Sequence, residues 1–120
     1  MSVFNPDPRS AIYALDATSK VTAQVVIGNG QRGGWAMKVT GLGTVKGSDE
    51  KVVKLGGGIA LAGKLLQVNV TVVDVHPETN RLNAVVTVAG GPGAPLIISQ
   101  EVPESADGDV AIFGALVMFQ

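Results

Sequence analysis

Asp74, His76 and Glu78 stand at alternate positions, the spacing that projects side chains from one side of an extended chain. An imidazole with two carboxylates is a reasonable ligand set for zinc, manganese or iron, so the three form a candidate divalent-metal site. Such a site would support a metal-dependent enzyme or metal-binding protein built on His76. The same residues belong to His76-Pro77-Glu78-Thr79-Asn80, a run of turn chemistry that a solvated loop explains without metal. His76 is the only histidine, so no catalytic triad can draw on a second one.

Glu104, Asp107 and Asp109, in ESADGDV, offer hard oxygen donors suited to calcium at the rim of a β-domain. The twelve-residue loop of an EF-hand is absent, and Asp-Gly-Asp reads equally as a turn before a strand. Gln31, Arg32 and Trp35 surround the glycine-rich Gly28–Trp35 loop. They could hydrogen-bond a sugar and stack it on an indole, as a carbohydrate-binding module does, provided that Trp35 is exposed. The parity of Trp35 with Met37 and Val39 points instead to the core. Gly58 to Lys64 fits G-x-x-x-x-G-K, but Leu65 stands where a phosphate loop needs Ser or Thr, and a strand pattern follows instead of a helix. The triplet Asn69-Val70-Thr71 carries no weight as a glycan acceptor without a secretory route.

The elements that must hold these residues are strands. Val21, Ala23, Val25 and Ile27 alternate with polar residues, then Gly28-Asn29-Gly30 turns the chain, and Trp35, Met37 and Val39 alternate in their turn. Asn-Gly between two alternating runs predicts a hairpin. Leu66, Val68, Val70 and Val72 form a long strand whose apolar parity shifts at Val73 and Val75, as a bulge would produce. After the 76–80 turn, Leu82, Ala84, Val86 and Val88 predict a second hairpin. Short strands are expected at 11–17, 51–55 and 96–102, and the only candidate helix is the glycine-weakened 58–66. Residues 1–10, with two prolines, read as an extended N-terminal arm on a single β-domain spanning 1–120. Seven or eight strands with regular turn signals predict an antiparallel β-sandwich, with a closed β-barrel as the alternative.

Composition narrows the function classes. Without cysteine there is no thiol catalysis, cysteine-zinc site or disulfide. A net charge of −1 argues against a nucleic-acid partner, and no apolar run reaches the roughly 18 residues of a membrane span. The first ten residues lack a secretory pattern, so a cytoplasmic location is expected. Apolar residues make up 46% and charged residues 16%, against about 25% charged in ordinary soluble domains, and this excess favours a homo-oligomer. The run VAIFGALVMFQ is apolar on both faces, and one row must find a cover other than the sheet opposite. Phe113, Val117 and Phe119 are the expected interface. The combined expectation is a non-enzymatic sandwich module that self-assembles or binds a partner, small molecule or carbohydrate through its loops. No cofactor is expected beyond the possible divalent metal.

Overall fold

The computed structural model describes residues 2–48, 50–76 and 78–120. Met1, Asp49 and Pro77, which belong to the expected arm and turns, lie outside the described residues. The chain is 57% strand and 3% helix, in two packed sheets that do not close into a barrel, so the architecture is the sandwich and not its alternative. Among the described residues ten strands run in order: β1 (Val3–Phe4), β2 (Arg9–Tyr13), β3 (Lys20–Ile27), β4 (Arg32–Val39), β5 (Gly43–Gly47), β6 (Val53–Gly57), β7 (Leu65–Val73), β8 (Leu82–Ala89), β9 (Leu96–Val102) and β10 (Val110–Phe119). Among the described residues the one helix, α1 (Gly58–Leu61), bridges β6 and β7.

One sheet has the order β1-β10-β7-β4-β5, with β2 also paired to β10, and the other has the order β6-β3-β8-β9. Both expected hairpins are therefore corrected. β3 pairs with β6 and β8 while β4 pairs with β5 and β7, so residues 28–31 form an arch that carries the chain from one sheet to the other. The described residues between β7 and β8 do the same. The true hairpins are β4–β5 and β8–β9. The physical reason is that alternation reports only which residues face inward. Two strands on opposite sheets, each with its apolar row facing the gap, carry the same pattern as two strands of one sheet.

The arm is corrected as well. β1 and β2 lie parallel to β10 at the edge of the larger sheet, so the sandwich is not purely antiparallel. Between them, the four residues Asn5–Pro8 span the length that three residues, Ile112–Gly114, span on β10. One extra residue in the arm is the signature of a bulge, and the prolines sit where no ladder donor is required. The expected bulge at Val73 is absent, since β7 keeps continuous register with β10 and β4 through that residue. An irregularity instead interrupts the β3–β6 ladder between Val21 and Thr22.

The core fills the gap between the sheets. Val21, Ala23 and Val25 of β3 with Leu82, Ala84, Val86 and Val88 of β8 face Trp35, Met37 and Val39 of β4, Leu66, Val68, Val70 and Val72 of β7, and β10. From β10 the inward row is Ala111, Phe113, Ala115, Val117 and Phe119. The small Ala111 and Ala115 flank Phe113 and leave room for its ring in a close-packed layer. Tyr13 stands edge-on to Phe119, ring centres 6.4 Å apart.

Candidate functional site

Among the described residues, the connections β3–β4, β5–β6, β7–β8 and β9–β10 meet at one end of the sandwich. The first begins with Gly28-Asn29-Gly30-Gln31, in which Gln31 N donates to Gly28 O at 3.2 Å. Asn29 (φ 59°) and Gly30 (φ 72°) are both left-handed, the turn that Asn-Gly favours. The turn chemistry is thus obeyed although the flanking strands part.

Gln31 explains the parting. Its carboxamide is buried, and Oε1 accepts from Val75 N at 2.7 Å and His76 N at 2.9 Å. Nε2 donates to the Thr79 carbonyl, and at 3.3 Å to both the Arg81 carbonyl and Asp74 Oδ1. Asp74, also buried, accepts from the Ser105 hydroxyl through its other oxygen. Gly108 N donates to Asp74 O at 2.9 Å, and Asp74 N to Asp109 O at 2.8 Å. Gln31 and Asp74 therefore tie three arches into one polar knot. Among the described residues no buried side-chain polar atom is left without a partner.

The structure separates the candidate metal ligands. Asp74 turns into the interior, while Glu78 is exposed. His76 Nδ1 is engaged by the Thr79 hydroxyl at 2.9 Å and by Glu78 N at 3.3 Å. Asp109 accepts from Ser2 N at 2.7 Å and Ala106 N at 2.8 Å, whereas Glu104 and Asp107 are exposed. The backbone N–H of Ala106, then that of Ser2, holds the Asp109 carboxyl below the usual carboxylate range. Among the described residues the structure gathers no three carboxylates or imidazoles around a common point.

Gln31, Arg32 and Trp35 are brought together. They line a cleft of about 410 Å³ with Val25, Ile27, Gly33, Ser48 and Glu50. Trp35 is only 4% exposed, so the sugar-stacking platform of the sequence reading is corrected: the indole is a wall of the cleft, not an open face. Its six-membered ring lies over Gly47 of β5, where any side chain would collide with it. The rim residues Ser48 and Glu50 were not foreseen. The only sequence trace of them is a polar stretch after β5, and the loop is pinned where Gln24 Nε2 donates to the Glu50 carbonyl.

The expected interface residues Phe113, Val117 and Phe119 are corrected in the same way, being 0–1% exposed within the core. The row of β10 that faces outward is Val110, Ile112, Leu116 and Met118. Register places Met118 between Ile12 of β2 and Leu65 of β7, and Leu116 between Ser10 and Gln67. Val3 stands beside Val110 in the same way. The result is an uncharged apolar stripe in which Ile12 is 63%, Val3 58%, Met118 39% and Ile112 37% exposed. Compared with protein-family models, curated proteins and solved structures, the chain matches none of them.

Proposed function

We propose that the chain is a non-enzymatic sandwich module that assembles with copies of itself through the outer face of β2, β10 and β7. The observation that carries this reading is the stripe running through Ile12, Met118, Leu65, Leu116 and Ile112. Burying a large apolar side chain is worth about 1.5–3 kcal/mol, so covering several half-exposed ones supplies several kcal/mol toward association. A second copy suits this face better than a charged partner, because no charged side chain stands in the stripe to be matched. A two-fold contact lays the same apolar row against itself, and a net charge of −1 offers little repulsion.

Sedimentation velocity at low micromolar concentration tests the reading. An oligomer is expected, converted to monomer by Met118→Asp or Ile12→Asp with an unchanged far-UV spectrum, since both side chains point away from the core. A wild-type protein that sediments as a 12.2 kDa monomer would overturn it.

A further inference from the structure

The end of the sandwich opposite the arches carries bare apolar side chains on two short tips, with lysines around them. β4 turns into β5 there, and β6 passes to β7 there through α1. Leu42 is 52% exposed and Ile59 78%, the most exposed large apolar side chain among the described residues. Leu42 stands between Gly41 (φ 79°) and Gly43 (φ 92°), so no neighbouring side chain shields it. The two tips adjoin. Thr40 N donates to Leu65 O at 3.1 Å, and a Cβ on Gly41 would lie 3.8 Å from Lys64 Nζ, which sets the Leu42 turn against the segment after α1. Gly58 N donates to Ser19 O at 2.9 Å, which sets α1 beside the start of β3 at Lys20. Leu15, Ala17 and Ala62 line a cavity of about 210 Å³ with Ile59 and extend its apolar surroundings. Lys20 and Lys54 meet at a cleft of about 300 Å³ beside the interrupted β3–β6 ladder. Among the described residues Lys20, Lys54 and Lys64 join no ion pair, and Asp16 is the one acidic side chain at this end. Glu50, Asp74, Glu78, Glu104, Asp107 and Asp109 stand at the other end, among the arches.

We propose that this end docks on an anionic phospholipid surface, with Ile59 and Leu42 entering the boundary between headgroups and acyl chains and the lysines on the headgroup phosphates. The chemistry separates a bilayer from other anionic partners. A nucleic acid would use the lysines but leave the aliphatic tips in water, and this end offers no arginine or exposed aromatic ring on which bases stack. An apolar protein groove would accept Ile59 and leave the lysines unmatched. A bilayer interface takes both, because its layer of negative charge lies directly above its apolar interior. The placement of the acids orients the molecule, since a negative surface attracts the lysine end and repels the arches. The docking residues lie outside the assembly stripe, so neither proposal depends on the other.

The chain has no cysteine, so Ala60→Cys, at an exposed position of α1, carries a single polarity-sensitive fluorophore beside the Ile59 tip. Asp107→Cys carries the same label at the opposite end. Titration with phosphatidylcholine vesicles containing about one third phosphatidylserine is expected to give a saturable blue shift at residue 60 and none at residue 107. Vesicles of phosphatidylcholine alone should bind much more weakly, and added salt should release the protein. In the labelled protein, Leu42→Ser with Ile59→Ser, and separately Lys20→Gln with Lys54→Gln, should each weaken vesicle binding by roughly tenfold or more. Both pairs are exposed, so the far-UV spectrum and the melting temperature should stay unchanged. The proposal fails if millimolar anionic lipid leaves the residue 60 label unmoved, or if the residue 107 label responds as strongly. It fails equally if neutral vesicles or a DNA duplex produce the same shift, or if either double variant binds like wild type.

Discussion

Truncating Gln31 to Ala removes, from one side chain that is 7% exposed, the bonds that join the 28–31 arch to the connection between β7 and β8. Val75 N and His76 N lose acceptors at 2.7 and 2.9 Å, and the Thr79 carbonyl loses a donor. The contacts to Asp74 Oδ1 and the Arg81 carbonyl are 3.3 Å long and count for less. A net hydrogen bond contributes about 1 kcal/mol, and a buried group left unpaired costs about 1–3 kcal/mol. The three stronger partners are partly buried, so water recovers a share and the expected loss is about 2–3 kcal/mol. In a domain of this size 1 kcal/mol moves the midpoint by about 4 °C, so Tm should fall by roughly 8–12 °C. Urea unfolding followed by Trp35 emission measures the loss, with the midpoint shifting at constant slope. Gln31→Glu keeps an acceptor for Val75 and His76 but sets a second carboxyl against Asp74. With the donor to the Thr79 carbonyl gone as well, Gln31→Glu should destabilise the fold at least as much as Gln31→Ala at neutral pH. A loss below about 0.5 kcal/mol for Gln31→Ala, the level of a surface substitution, would refute the reasoning.

Phe119→Ala opens a cavity beside Tyr13 in the core and should cost about 3–5 kcal/mol in the same assay, with the oligomeric state of the remaining folded protein unchanged. Gly47→Val drives a side chain into the indole of Trp35, so the emission maximum should shift. Asp109 is held below the usual carboxylate range by the N–H groups of Ala106 and Ser2, and so stabilises the fold above the unfolded value near 4. That contribution disappears as pH falls through the lower folded value, so urea midpoints of Asp109→Asn and wild type should differ at pH 6 and converge in strong acid. Asp16, which accepts from the Thr18 and Ser19 hydroxyls, obeys the same sign.

The strands were legible in the sequence where packing writes on it. Leu96–Val102 and Val110–Phe119 fall where alternation and turn residues place them, because inward parity is enforced by the core. Which strands pair was not legible. Asn29-Gly30 makes its turn whether the next strand joins the same sheet or the opposite one, and the partner that decides is Gln31, whose bonds reach residues 43 to 50 positions away. The two apolar rows of β10 were visible, but not which row faces inward. That choice is made by the smaller sheet, whose apolar rows share one core with Phe113, Val117 and Phe119. The cleft was half legible: its Gln31-Arg32-Trp35 side is local in sequence, while Ser48 and Glu50 arrive through the β5–β6 connection.

The apolar excess of the composition has a definite address. Val45 is exposed at the β4–β5 hairpin, Val52 and Val75 in arches and Ile97 on an edge strand, each apart from the others in the chain. Val3, Ile12, Ile112 and Met118 instead share one face, although they come from opposite ends of the sequence. Only the parallel docking of β1 and β2 on β10 brings Ile12 beside Met118 and Val3 beside Val110. That docking also carries core contacts, since Phe4, Ala11 and Tyr13 of the same strands pack inward. The stripe therefore exists only when the sandwich is complete, and the proposed association through it would select the folded protomer. By mass action such an oligomer should resist denaturation more as protein concentration rises, a dependence that a monomer with a merely greasy surface would lack.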